Sequence, residues 1–287
     1  MEKCYLCGHS DFEKLDGIVR DNPELDVLRC KNCSLVTLSS FEHICDCFYE
    51  NDGMFGGENV DVNKWLDRTK DDDKRRFNFL KREIKDKKVL DFGCGNGGFL
   101  LNAKKITKKV AGIELQKSLV AFHAEKDLEV FTDIERIPED SHYEFDFITM
   151  FHVLEHIKNP IELLQKLGSK LAPKGQIIIE VPNADDALIS IYKNYSFMNF
   201  TYWSCHLYLF NERTMLDLVE KAGFEVKYLK HVQRYGVTNH FWWQFFKKPG
   251  GHKKLWFLNF KLFDYLYEKS LASLKATDTI IVSISKG

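Results

Sequence analysis

"VLDFGCGNGG", residues 89–98, is an apolar run that passes through Asp91 and enters a cluster of glycines without a spacer. Val89, Leu90 and Phe92 suit a buried strand, and Gly93-x-Gly95-x-x-Gly98 follows at once. Glycines at this spacing let the chain turn sharply out of a strand and bring free N–H groups at a helix start close to a ligand. The stretch predicts a strand–loop–helix unit holding a nucleotide-bearing cofactor. Which one stays open, because a dinucleotide meets the same spacing.

On either side the chain alternates short apolar runs with helical stretches, the pattern of βαβ units and a parallel sheet. Strands are expected at 88–92, 109–115, 128–134, 145–151 and 175–181, with helices near 97–105, 116–126, 159–171 and 211–222. The last helix is well marked: Asn211 at its N-cap, Phe210 and Met215 at staple positions, and Gly223 after its last turn. Runs from 224 and from 279 predict a late antiparallel hairpin closing one edge, with a long insertion between them. The fold class is therefore α/β, a Rossmann-like, mostly parallel sheet with an antiparallel edge strand. One or two amphipathic helices are expected over 61–86, after a connector rich in aromatics and glycine that suits the border of a site.

Cys4-x-x-Cys7 and Cys30-x-x-Cys33 form two close pairs whose separation slightly exceeds the commonest zinc-ribbon spacing. Residues 1–40 hold too few large side chains to bury a core alone, so a structural Zn2+ on these four thiolates is expected to stabilise them. Four sulfur ligands leave no open position for catalysis. The other cysteines read as ordinary packing or loop residues. The expected organisation is a zinc-ribbon module over 1–40, connector and helices over 41–86, a cofactor-binding domain over 87–233, and an aromatic insertion with the final strand over 234–287.

A 287-residue chain with 44% hydrophobic residues can bury a sizeable core. A net charge of −1 disfavours a nucleic-acid partner. The N-terminus lacks an apolar leader segment, no apolar run is long enough to span a membrane, and paired cysteines suit a reducing compartment. A cytoplasmic location is the expectation.

Glu114 ends the second strand about twenty residues beyond Gly93, where a carboxylate can accept hydrogen bonds from both ribose hydroxyls. A dinucleotide and S-adenosylmethionine share that ribose. Asp91 tips the choice, because a carboxylate before the loop repels a pyrophosphate but suits a cationic sulfonium amino acid. The wider order of "VLDFGCGNGGFL", "GIEL", "FTDIERIPED", "FDFITMFHVLEHIKNP", "LAPKGQIIIEVPN" and "HLYLFNERTMLDLVEKAGFEV" then resembles class I S-adenosylmethionine-dependent methyltransferases over most of 85–285. With the cysteine module, the chain is similar to a subset that includes sugar-modifying enzymes. The resemblance implies Asp91, Gly93 and Gly95 around the methionine moiety, Glu114 on the ribose, Leu115 and Asp133 at the adenine, and Phe151 with His152 near the methyl group.

A hydroxyl acceptor needs a base, and histidine is the obvious candidate near neutral pH. His206, in "YWSCHLYLF", is preferred and His152 comes second; His156 and His240 compete less well. The expected reaction is O-methylation of a sugar or nucleotide-linked sugar, a small-molecule substrate. C-methylation of a keto-sugar, or an RNA or protein substrate recognised by the ribbon, are the alternatives. The aromatic stretch 241–267 reads as a substrate lid or as a packing and homodimer surface, and less strongly as a membrane-surface element with Lys247, Lys248, Lys253 and Lys254.

Overall fold

The structure is a computed structural model, and it describes residues 2–45, 48–50, 61–254 and 261–287. Residues 51–60 of the expected connector and 255–260 of the aromatic stretch lie outside the described residues. In chain order the strands are β1 (Phe12–Lys14), β2 (Val27–Cys30), β3 (Val36–Leu38), β4 (Lys88–Phe92), β5 (Lys109–Ile113), β6 (Val130–Phe131), β7 (Phe145–Phe151), β8 (Leu171–Pro182), β9 (Tyr208–Leu209), β10 (Phe224–Val232) and β11 (Thr279–Lys286). The helices are α1 (Val62–Leu80), α2 (Gly98–Ala103), α3 (Val120–Glu125), α4 (Pro160–Ser169), α5 (Ala187–Ser190), α6 (Tyr195–Thr201), α7 (Glu212–Lys221), α8 (Val237–Phe246), α9 (Gly251–Lys254) and α10 (Lys261–Ser273).

Seven strands form the main sheet in the order β10-β11-β8-β7-β4-β5-β6. β4 pairs in parallel with both β5 and β7, and β7 with β8. β11 runs antiparallel between β8 and β10, the expected edge hairpin. Val89, Leu90, Ile148, Met150, Ile177, Ile178 and Ile179 are fully buried in its centre, as strands covered on both faces require. Chain order reverses direction between β4 and β7, and in an open sheet of this kind the crevice outside that switch point is where a ligand fits.

α7 starts as expected. Asn211 Oδ1 accepts from Thr214 N at 3.0 Å, Thr214 Oγ1 accepts from Asn211 N at 2.9 Å, and Phe210 and Met215 are both buried at the staple. Other elements differ from expectation in length. The segment 128–134 forms only the two residues of β6, because Asp133 instead caps a short turn at Ile134–Arg136. The charged stretch 61–86 holds a single 19-residue helix, Val62–Leu80, opened by Asp61 accepting from Lys64 N.

β1, β2, β3 and β9 form a second, antiparallel sheet. The cysteine module is thus completed by a strand from beyond residue 200, and its apolar residues join the same buried core as the main sheet.

Candidate functional site

Two cavities open near the carboxyl ends of the central strands. The smaller, of about 230 Å³, is lined by Gly93, Gly95, Glu114, Leu115, Phe151 and His152, together with Tyr49, Trp65, Gln116 and Val153. Gly93 and Gly95 take the left-handed backbone, at φ 71° and 52°. A Cβ on Gly93 would come within 2.6 Å of Val153 Cγ2, and one on Gly95 within 3.1 Å of the Trp65 ring. Any larger residue would fill the cradle or strain its turn. Glu114 fixes the loop from the side: Oε2 accepts from Gly95 N at 2.8 Å and Oε1 from Gln116 N at 2.9 Å. His123 Nε2 donates to Gly95 O at 2.7 Å from below.

These features fit S-adenosylmethionine. The cradle is open only because both side chains are hydrogens, Glu114 faces the cavity, and aromatic and aliphatic walls suit an adenine.

Asp91 stands behind this cavity rather than in it. It is 3% exposed, and its Oδ1 accepts from the Thr149 hydroxyl at 2.6 Å. Burial raises its pKa to about 7. Asp133 is exposed and caps the turn after β6, its Oδ1 accepting from Glu135 N, so neither acid lines the cavity.

The larger cavity, of about 390 Å³, is walled by Phe197, Phe200, Trp203, Tyr235 and Trp243, with polar groups from Arg20, Asn183, Asp186, His206, Arg234 and His240. His152 and His156 line both cavities and form their shared wall. His206 lies in the larger cavity alone. α8 presents Asn239, His240 and Trp243 to the cavity while Phe241 and Phe245 stay exposed, so the aromatic insertion supplies part of the wall.

The histidines differ in the direction in which their surroundings shift them. His152 sits at φ 57° with Nδ1 3.3 Å from Glu155 Oε1 and Nε2 3.3 Å from Glu180 Oε1. Burial and the Arg234 guanidinium pull its pKa down, but Glu155 and Glu180 outweigh them and hold it above the ordinary histidine value. His206 is the opposite case. Its Nδ1 lies 3.1 Å from Thr201 O, and since a carbonyl only accepts, that nitrogen carries the hydrogen and Nε2 keeps its lone pair. Burial, reinforced by His156, depresses the His206 pKa to about 3. Glu155 is fully buried, and its Oε2 has no hydrogen-bond partner among the described residues. A carboxylate oxygen of Glu155 and one ring nitrogen each of His156 and His206 lie within 4.8 Å of one another, a set able to hold a cation or a proton.

Behind His152 lies a charged network that sequence reasoning missed. Glu180, wholly buried at the end of β8, accepts from Arg75 Nη2 at 2.8 Å and from Arg76 Nε and Nη2 at 2.9 and 2.8 Å. Arg234 Nε pairs with Asp278 Oδ1 at 3.3 Å and its Nη1 with Asp72 Oδ2 at 3.5 Å. Arg75 and Arg76 fall in the stretch expected to form amphipathic helices, where nothing local set them apart from the other charges. Tyr49, in the cavity wall, carried a better signal, since the connector was expected to border a site; Trp65, also in that wall, lies on the helix that follows.

The four sulfurs of Cys4, Cys7, Cys30 and Cys33 also lie within 4.8 Å of one another. Cys4 and Cys33 are 3.5 Å apart, as are Cys7 and Cys30. Each pair ends in a left-handed residue, Gly8 at φ 72° and Ser34 at φ 70°, whose N–H returns to the carbonyl of the pair's first cysteine at 2.8 and 2.9 Å. Two matching turns that aim four sulfurs at one point suit a tetrahedral ion.

Residues 63–229 match a family model described as a methyltransferase domain. A ubiquinone biosynthesis O-methyltransferase from Hydrogenovibrio crunogenus is 23% identical over 208 residues, 69% of this chain and 75% of that relative. Its counterpart from Nitrosococcus oceani is 34% identical over 104 residues, 34% of this chain. That match spans 44% of the relative's own length, less than half. A solved SAM-dependent methyltransferase from Archaeoglobus fulgidus superposes with a TM-score of 0.51 at 21% identity, covering 76% of this chain and 94% of its own. Magnesium protoporphyrin IX methyltransferase from Synechocystis, solved with bound SAH, gives a TM-score of 0.51 at 13% identity, over 84% of this chain and 97% of its own. At such identities the likeness is one of fold.

Proposed function

Because this chain belongs to the methyltransferase-domain family, we propose that it transfers a methyl group from S-adenosylmethionine to a hydroxyl of a small molecule held in the larger cavity. The observation that carries this reading is the wall of His152 and His156 common to a glycine-cradled cavity and an aromatic one. When bound, S-adenosylmethionine would supply an electrophilic sulfonium methyl to the acceptor oxygen, with S-adenosylhomocysteine leaving as the carbon–sulfur bond breaks.

The residues then divide the work. Gly93 and Gly95 admit the methionine part, Glu114 holds the ribose, Leu115 and Phe151 cover the flat surfaces, and Asp91 fixes the loop from beneath through Thr149. The geometry gives no support to Asp133 as an adenine contact. His206 takes the acceptor's proton through Nε2, the nitrogen left with its lone pair, and Glu155 offsets the penalty that burial places on the charged ring. His152, whose pKa Glu155 and Glu180 raise, positions the acceptor instead. The four cysteines hold a structural Zn2+.

Two acceptor classes follow from different observations. The sugar reading rests on aromatic walls set beside Asn183, Asp186 and Asn239, a mixture that suits stacking and hydroxyl recognition. A hydroxyl on an aromatic small molecule is the other class, favoured by the aromatic walls and by the relatives' names, which give O-methylation in ubiquinone biosynthesis.

The reading is tested by incubating the chain with deuterated-methyl S-adenosylmethionine and panels of nucleotide sugars and catechols, and searching for a labelled product. His206→Gln should lower the rate about 10²- to 10⁴-fold, the usual contribution of a general base. The base form of His206 persists above its depressed pKa, so the wild-type rate should stay flat as pH falls from about 8 to 5. A rate that fell away with a midpoint near the ordinary histidine value would remove His206 from the role. No methylated product in either panel would count against both acceptor classes.

A further inference from the structure

The segment 17–21 of the cysteine module is fastened along 198–204, at the rim of the larger cavity. Ile18 N donates to Asn199 Oδ1 at 2.8 Å, and Arg20 N donates to Tyr202 O at 2.9 Å. Asp21 accepts from Ser204 N at 2.9 Å and from Ser204 Oγ at 2.7 Å. These ties place the Arg20 side chain with its guanidinium 4.4 Å from the Trp203 ring centre and 5.5 Å from that of Phe200, one Nη1 donating to Phe200 O at 3.1 Å. A guanidinium stacked in this way is fixed in direction, while its remaining N–H groups stay directed away from the rings.

Its charge balance is unusual for that lining. Arg234, the other arginine of the cavity, is neutralised by Asp278 and Asp72. The adjacent acid, Asp21, commits both oxygens to Ser204, and among the described residues Arg20 forms no ion pair with a carboxylate. An exposed, pre-oriented guanidinium at a cavity rim is a ready partner for a planar or tetrahedral anion.

We propose that Arg20 anchors an anionic group of the acceptor, a phosphate or a carboxylate, at the rim of the larger cavity, with Trp203 stacked against the guanidinium. The substrate class is then a hydroxylated molecule with an anionic end remote from the methylated atom, and the cysteine module supplies the residue that selects it. This rests on reading the larger cavity as the acceptor site. Zinc and the glycine loop take no part in the contact.

The test is calorimetric titration of the full chain, with S-adenosylhomocysteine present, by UDP, inorganic phosphate and glucuronate. Binding of UDP or phosphate assigns a phosphate, and binding of glucuronate alone assigns a carboxylate. In either case Arg20→Gln should weaken the interaction about ten- to a hundredfold, as loss of a charge-assisted bidentate pair does. Arg20→Lys should recover part of it, since a point charge lacks the planar fork. Binding of S-adenosylhomocysteine should be the same in all three proteins, which checks that the variants fold. Anion affinity unchanged in Arg20→Gln, or no binding by any of the three probes, overturns the proposal. Failure of S-adenosylhomocysteine to bind the wild-type chain would instead strike the donor reading, and the Arg20 comparison would still stand on its own.

Discussion

Glu180 gathers more charge around it than any other acid near the two cavities. It is fully buried, accepts four hydrogen bonds from Arg75 and Arg76, and lies 3.3 Å from His152. Burial alone would raise its pKa, but Arg76, His152 and Arg75 outweigh it and hold the carboxyl well below its ordinary value. Glu180→Gln leaves two arginines facing a neutral amide, and breaking a buried pair in this way costs about 3–5 kcal/mol. A carboxylate with a depressed folded pKa contributes stability that is complete above its unfolded value and is lost as pH falls toward the folded one. The gap between wild type and Glu180→Gln in urea unfolding should therefore narrow as pH falls below about 5, and narrow also as pH rises through the raised pKa of His152. A gap that widened as pH fell below about 5 would refute this account of the network. Glu114 was legible as a residue of the cavity wall because it ends the strand that follows the glycine loop. Glu180 was not, because its partners lie more than a hundred positions earlier in the chain, and nothing local marks such a pairing. Asp91 was found as a notable acid, yet its bond to Thr149 depends on strand register, which a single stretch of sequence does not reveal.

At the scale of elements, alternating strands and helices, the caps of α7 and the edge hairpin could all be read from local pattern, because periodicity and capping are local physics. The fourth strand of the small sheet could not. β9 is two residues long, and it is recruited by pairing Val36 with Leu209 and Thr37 with Tyr208. The consequence is that the cysteine knuckles brace the segment that carries Trp203 and His206. If the four thiolates hold zinc, metal analysis of the purified chain will find one ion per chain. Stripping it with a chelator should lower the thermal midpoint and leave the 198–209 segment accessible to protease. A metal-free chain with the same midpoint and the same protease resistance would dismiss the zinc.

Across the whole molecule, the main sheet places the glycine cradle at its switch point, and β8, α5, α6 and the late insertion build the second cavity beside it. None of the described helices is long and apolar enough to cross a membrane. The arrangement explains why the fingerprint at 93–98 was ambiguous by itself. Glycines report that a nucleotide-bearing ligand can approach, and Glu114 suits the ribose of either candidate; the choice of S-adenosylmethionine rests on the methyltransferase-domain family of residues 63–229. Calorimetric titration with S-adenosylhomocysteine and with NAD tests that assignment most directly. The wild-type chain should bind S-adenosylhomocysteine in one-to-one ratio and give no heat with NAD. Glu114→Ala should weaken the binding about ten- to a hundredfold, through loss of charge-assisted hydrogen bonds. Tight binding of NAD with no response to S-adenosylhomocysteine would contradict the assignment.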